Sequence, residues 1–268
     1  MNTYNTAIFL CRAQPFHIGH AAVINQALRQ AKYILILIGS ANQPRTIKNP
    51  FTYEERKELI RHSFSMEDKQ RLHFAPIEDN MYNDTAWVLS VQQAVEDFTN
   101  EKDIAIIGHL KDESSYYLKM FPQWTFIDSG NIDIINATDI RELYFSNDAT
   151  ASMNFLTGVV PTHVFSFLKE FRKTEAFQQI VREKDFIKKY KKQYEHLQYE
   201  PIFVTVDACV IQSGHVLLVK RKAEPGKGLL AFPGGFVNAS TDKSLEDSMI
   251  RELYEETNIK LPEKVLRG

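Results

Sequence analysis

The run Tyr33–Ile38 is apolar almost without interruption and stops at Gly39, which is the pattern of a parallel strand covered on both faces. Such a strand needs helices on both sides of its sheet, and the surrounding sequence supplies them. Thr6–Cys11 is a compact β-type run, followed by a loop and a helical pattern from His20 with Val23, Ile24, Ala27 and Leu28 on one side. Thr52 and Glu55 form a capping box ahead of a helix carrying Leu59, Ile60 and Phe64. Arg71–Ile77 reads as a third strand, a helix from about Asp84 sets Trp87, Val91, Val95 and Phe98 on one face, and Asp103–Ile107 is a fourth strand ending at Gly108. The alternation predicts an α/β fold with a doubly wound parallel sheet, whose ligands gather at the carboxyl ends of the strands.

The character changes after a helix opened by Pro161. Glu175–His196 is charged and Lys-rich, so a helical connector is expected, with Lys188, Lys189, Lys191 and Lys192 as a solvated face. From Pro201, an alternating run Ile202–Ile211, a Ser213-Gly214 turn and a second strand-like run His215–Lys220 announce an antiparallel hairpin and a second domain. The expected divisions are residues 1–174, a connector 175–200, and 201–268. A chain of 268 residues exceeds the usual single domain, and 44% hydrophobic residues suffice for a sizeable core. Thirty-two Lys and Arg against 34 Asp and Glu give a net charge of -2, which excludes a global basic field for polymeric nucleic acid. Cys11 and Cys209 fall in different units, so neither a disulfide framework nor a zinc site is expected. No leader-like segment opens the chain and no apolar run approaches about 18 residues, so a cytoplasmic protein without a membrane partner is expected, and a homo-oligomer is compatible with all of this.

The first chemical constellation is Arg12-Ala13-Gln14-Pro15-Phe16-His17-Ile18-Gly19-His20, placed where the first strand turns into the first helix. Helix N-terminal amides hold phosphate at that position. Transfer of a nucleotidyl group loads negative charge onto phosphate oxygens, and imidazole or guanidinium donors aimed there lower the barrier without a covalent intermediate. Taken alone, two histidines three apart are as well explained as a helix-start pair without a role. The flanking residues favour the chemical reading.

This loop resembles the H-x-G-H signature of the nucleotidyltransferase superfamily, and its longer R-x-Q-P-F-H-x-G-H form is similar to nicotinamide mononucleotide adenylyltransferases of the archaeal type. Asn136-Ala137-Thr138-Asp139-Ile140-Arg141 resembles the family's Ser/Thr-x-x-Arg segment, with Thr138 expected as N-cap and Arg141 one turn in. Gly39-Ser40-Ala41-Asn42 and Asn49-Pro50-Phe51-Thr52 also look like family segments. The resemblance implies a Rossmann-like domain that joins ATP to nicotinamide mononucleotide, giving NAD and pyrophosphate with Mg²⁺. Catalytic roles would fall to His17, His20 and Arg141. Substrate binding would fall to Arg12, Gln14, Phe16, Gly19, Ser40, Asn42, Trp87, Gly108, Lys111 and Thr138. Trp87 sits where the family stacks an aromatic on nicotinamide, yet it also lies on its helix's apolar stripe, so stacking and core packing both stand. Cys11 replaces a glycine usual in the family, which restricts close backbone approach there. Another phosphate acceptor for the adenylyl group remains a rival reading.

The second constellation is Phe232-Pro233-Gly234-Gly235, leading into a helix with Arg251-Glu252-Leu253-Tyr254-Glu255-Glu256. Glu252 lies three and four residues from Glu255 and Glu256, so these carboxylates share a face and suit Mg²⁺ as oxygen ligands; a plain solvated face is the bland alternative. Together the glycines and helix resemble the Nudix hydrolase box, G-x5-E-x7-R-E-U-x-E-E-x-G-U, where U is aliphatic. The front departs from it: Gly235 to Arg251 is two residues longer than the pattern, Lys243 stands where Glu is required, and Asn258 replaces the late Gly. The 68 residues 201–268 are about half of the usual Nudix fold, so an incomplete α/β/α domain is expected. The resemblance implies hydrolysis of ADP-ribose to AMP and ribose 5-phosphate by a complete domain, with Arg221 contacting that substrate; the alternative is a non-catalytic ADP-ribose sensor.

Overall fold

The computed structural model describes residues 3–110, 113–130, 136–146, 148–199 and 201–261. The chain divides into two compact units, residues 1–181 and 182–268.

In the first unit, β1 (Tyr4–Cys11), β2 (Ala31–Ile38), β3 (Leu72–Pro76), β4 (Ile104–Gly108) and β5 (Thr125–Asp128) form a parallel sheet of order β3-β2-β1-β4-β5. Between and after these strands run α1 (Ile18–Gln30), α2 (Tyr53–Arg61), the short α3 (Met66–Lys69), α4 (Asp84–Phe98), α5 (Ala137–Tyr144), α6 (Ala149–Thr157), α7 (Thr162–Phe171) and α8 (Glu175–Lys192). The period-2 alternation of the strands divides the core into two layers. Ala7, Phe9, Ile34, Ile36 and Ile38 face a layer shared with Ile24, Leu28, Ile60 and Val164. Ile8, Leu10, Leu35 and Leu37 face the other, packed by Val91 and Val95 of α4. Both faces of β1 and β2 are therefore buried, and each such Ile or Leu contributes roughly 1.5–3 kcal/mol of burial.

The chain runs outward from β1 to β3, then returns to β4 on the opposite side of β1. The strand order thus reverses beside β1, and the crevice above its carboxyl end is where an open α/β sheet accepts ligand. Sequence periodicity finds β1 to β4 and misses β5, whose Thr125, Phe126 and Asp128 are exposed edge residues with no buried face to leave a pattern.

In the second unit, β6 (Thr205–Asp207) pairs with β11 (Gly234–Phe236), β7 (Ile211–Gln212) with β8 (His215–Val216), and β9 (Val219–Lys220) with β10 (Leu230–Ala231), all antiparallel. Helix α9 (Leu245–Thr257) packs on β6 and β11. The expected hairpin at Ser213-Gly214 is present, but the long strand foreseen over Ile202–Ile211 is confined to β6 and the first residue of β7. Ala208, Pro233 and Leu253 are the buried apolar side chains among the described residues of this unit, while Ile202 is 93% exposed and Leu230 67%. The core is slight, as expected of a partial fold. No helix among the described residues is long and apolar enough to cross a membrane.

Candidate functional site

Two lobes of one cleft open above the carboxyl ends of the central strands. The first, of about 430 Å³, lies over β1 and β4; the second, of about 560 Å³, lies over β1 and β2. Leu10, Cys11, Arg12, Lys48, Ser115 and Tyr117 line both, so the end of β1 forms the seam.

The N-terminus of α1 opens on the first lobe, and the two histidines build it. His17 is the N-cap, its Nδ1 accepting from Gly19 N–H at 3.1 Å, while its own N–H donates to His20 Nδ1 at 3.3 Å. This is a capping box made of imidazoles. Because each Nδ1 is an acceptor, the ring hydrogen of each histidine sits on Nε2, which makes it a donor. Burial, and secondarily the neighbouring His17, push the His20 pKa well below its usual value, so His20 is neutral at ordinary pH. The rings lie 3.8 Å apart. Gly19 permits this: a Cβ there would stand 3.0 Å from His17 Nδ1 and Cε1.

Arg141, from α5, donates from Nη1 to Gln14 O at 2.7 Å and from Nη2 to Thr138 Oγ1 at 3.1 Å. The N-cap of α5 is Asn136, which accepts from Thr138 N–H, rather than Thr138 as expected from sequence. Asn is at least as good a cap as Thr, and the chain uses the first of the two. The helix still presents its N-terminus and Arg141 to the first lobe. Arg12, Lys48 and Arg141 line that lobe and no Asp or Glu does among the described residues. The lobe is thus shaped for a polyanion, with three cations, imidazole donors and two helix N-termini around it.

Several expected ligand contacts are reassigned. Gln14 lines the lobe, but its side-chain amide is consumed: Nε2 donates to Phe51 O at 2.9 Å and Oε1 accepts from Phe51 N–H at 3.0 Å. It is a pin between the β1 loop and the start of α2. Phe16 is fully buried and stacks beneath His20 at 5.7 Å, so it supports the imidazole and has no surface for substrate. Asn42 lines neither lobe; its Oδ1 accepts from Asp79 N–H at 3.3 Å and tethers that loop. Ser40 lines the second lobe and donates to Asp79 Oδ1 at 3.1 Å. Gly108 lines the first, with Leu118 so close that a Cβ would meet its Cδ1 at 2.9 Å. Lys111 lies outside the described residues.

Trp87 resolves both ways. Its ring packs against Tyr117 and Phe121, each at 6.1 Å, and is half-buried on the α4 layer, yet it also lines the second lobe. Sequence reasoning missed Lys48, Ser115 and Tyr117, whereas the segment after β4 that holds His109 was expected to border the cleft. Tyr117 is held protonated, its pKa pushed up to about 12 chiefly by burial. His109 pairs with Asp128 at 3.1 Å at the edge of the first lobe. Lys48 comes from a loop, and Ser115 and Tyr117 from a short 3₁₀ helix, Glu113–Met120, without an amphipathic pattern, so only the three-dimensional cleft reveals them. Cys11 is also inert, burial raising its thiol pKa to about 12.

In the second unit, Gly235 lies against α9, where a Cβ would stand 2.6 Å from the Glu252 carboxylate and that side chain would have to shift. Arg251 forms the hub. It holds Asp242 through two bonds, Nε to Oδ1 at 2.9 Å and Nη2 to Oδ2 at 2.8 Å, and pairs with Glu252 at 2.8 Å and Glu255 at 3.3 Å. Asp242, not Lys243, is the acid that reaches the arginine, so the two-residue insertion is absorbed in the loop ahead of α9 and a carboxylate is retained. Asn258 caps α9 in the left-handed region at φ 61°, as the expected Gly would. Glu256 accepts from Gly234 N–H at 3.2 Å. No group of three His, Cys, Asp or Glu converges as a metal cage among the described residues, and Glu252, Glu255 and Glu256 are not brought to one point. Their oxygens answer to Arg251 and a backbone amide instead. Arg221 donates from Nε to Pro225 O at 2.8 Å, bracing its own turn.

Residues 8–143 match the cytidylyltransferase-like family and residues 201–267 match the NUDIX domain. The chain is 39% identical over 182 residues to a nicotinamide/nicotinic acid mononucleotide adenylyltransferase of Acinetobacter baylyi, covering 67% of this chain and 93% of that protein. It is 32% identical over 184 residues to a nicotinamide-nucleotide adenylyltransferase of Sulfurisphaera tokodaii, covering 66% and 97%. The crystal structure of a bifunctional NMN adenylyltransferase/ADP ribose pyrophosphatase from Francisella tularensis, complexed with AMP and a manganese ion, superposes with a TM-score of 0.83 at 35% identity, over 97% of this chain and 76% of that one. The cleft at the strand reversal and these likenesses agree: the chain belongs to the nicotinamide mononucleotide adenylyltransferases of the cytidylyltransferase-like family and carries a NUDIX segment beyond them.

Proposed function

We propose that the first unit transfers the adenylyl group of ATP to nicotinamide mononucleotide, giving NAD and pyrophosphate. The observation that carries this is the seam at β1, where a lobe lined by Arg12, Lys48 and Arg141, with no carboxylate among its described residues, meets a lobe walled by Trp87 and Tyr117. The triphosphate belongs in the first lobe and the mononucleotide in the second. An oxygen of the mononucleotide phosphate attacks the α-phosphorus across the seam, a new P–O bond forms, the bond to the β-phosphate oxygen breaks, and pyrophosphate leaves. No protein nucleophile takes part. His17 and the neutral His20 donate to phosphate oxygens through Nε2–H, while Arg12 and Arg141 offset the charge that grows on them. The divalent cation is read as Mg²⁺ arriving with ATP, and the enzyme as cytoplasmic. The adenylyltransferase domain is taken as residues 1–174, the connector as 175–200 and the Nudix portion as 201–268.

The Nudix portion is read as directed at ADP-ribose, with hydrolysis to AMP and ribose 5-phosphate. The described carboxylates do not form a cation cage; Glu252 and Glu255 pair with Arg251 and Glu256 accepts from the Gly234 amide. That geometry keeps the sensor reading in play: ADP-ribose that alters NAD synthesis without being cleaved marks a sensor, and steady AMP release marks a hydrolase. The transferase reading is tested by supplying ATP and Mg²⁺ with nicotinamide mononucleotide, its nicotinate counterpart and phosphopantetheine in parallel. NAD formation supports it, and turnover confined to phosphopantetheine replaces it.

A further inference from the structure

Arg56 is the largest fully buried side chain among the described residues, 1% exposed, and lines neither lobe. Its guanidinium is nevertheless aimed at the seam from behind. Nη1 donates to Arg12 O and to Gly39 O, each at 2.7 Å, Nη2 to Ser40 O at 3.3 Å, and Nε to Thr52 O at 3.2 Å. One planar fork thus joins the exit of β1, the exit of β2 and the first turn of α2. These are the residues that shape both lobes: Arg12 lines the two of them, and Gly39 and Ser40 line the second.

All four acceptors are carbonyl oxygens, and no carboxylate lies within ion-pair distance of Arg56 among the described residues. The acids whose charge reaches it are bonded elsewhere, Glu55 bidentately with Arg45 at 2.7 Å and Asp79 with Ser40 at 3.1 Å. Burying a charge without a counter-ion is costly, and a fold that needed only a strut there would be served by an apolar side chain. What an apolar side chain cannot do is fix two strand exits at once, because that takes several donors in a rigid plane.

We infer that Arg56 is a positioning residue for the transfer, setting the separation of the β1 and β2 exit loops so that the two bound substrates meet in line. This rests on the two-lobed reading of the cleft. It acts through Arg12 and the Gly39-Ser40 turn and contacts no reacting atom. A displacement of the lobes by about 1 Å costs on the order of 10²-fold in rate while leaving each substrate its own contacts.

The test uses the full chain with Arg56→Gln and Arg56→Lys. The readouts are kcat at saturating substrates, the dissociation constant of ATP and of nicotinamide mononucleotide each measured alone by calorimetry, and the unfolding midpoint. The expected result is a kcat lower by about 10²-fold for Gln and partly restored by Lys, each dissociation constant within about threefold of the parent, and a deficit less than multiplicative with that of Arg12→Lys. A normal kcat per folded molecule, full multiplicativity with Arg12→Lys, or failure of the Lys variant to fold would each overturn the inference, the last by making Arg56 a residue of the fold alone. If the parent chain makes no NAD, it is the transferase reading that fails, and the calorimetric arm shows whether both substrates still bind.

Discussion

His20 carries the most specific expectation at the scale of single residues. Replacing it with Ala removes one preorganised donor to the developing charge, and kcat should fall by about 10²–10³-fold with the far-ultraviolet circular dichroism spectrum unchanged. Near-normal turnover would remove His20 from the reaction. Gly19→Ala should do similar damage by a different route, pressing a methyl into the His17 ring at 3.0 Å and opening the imidazole capping box. The histidines also set a pH dependence of stability. His20, His73 and His163 all have folded pKa values lowered by burial, so below about pH 6.5 the unfolded chain binds protons that the folded chain refuses. Their contribution is present above that pH and is lost as the pH falls toward the folded values. The unfolding midpoint should therefore drop between pH 7 and pH 5, and His20→Gln should flatten part of that slope. The polar loop residues were legible in sequence because their spacing is chemical. Gln14 and Phe16 belong to the same motif as the groups that face the cleft, yet their described bonds and packing hold it up, and spacing does not separate the two roles.

Elements explain which parts of the fold could be read in advance. Strands β1, β2 and β4 are buried on both faces and leave continuous apolar runs, whereas β5 is an exposed edge and leaves none. Ile36, fully buried at the centre of β2, should cost about 2–5 kcal/mol on replacement by Ala, measured by denaturant unfolding of the first unit. The Gln14 pin makes a sharper test. Gln14→Ala leaves the Phe51 N–H and C=O without their partners beside the start of α2, which should cost roughly 1–3 kcal/mol in stability. If that variant instead lost substrate affinity at unchanged stability, its amide would be a ligand contact after all. In α9 the pattern of carboxylates was visible in sequence, but their destination was not. Arg251 draws Glu252 and Glu255 to itself and takes Asp242 from an inserted loop, a partner that no fixed spacing predicts.

The whole molecule joins two units of unequal completeness. The first has a two-layered core, a sheet whose order reverses at β1 and a cleft at that reversal; the second buries Ala208, Pro233 and Leu253 and leaves much of its apolar surface exposed among the described residues. The activity that the fold supports most directly is therefore that of the first unit. Its measurement is the formation of NAD from ATP and nicotinamide mononucleotide by the purified chain, with pyrophosphate released in equal amount. The account predicts steady one-to-one production that His20→Ala slows by about 10²–10³-fold; no NAD from the folded parent chain, or near-parental production without His20, would contradict it.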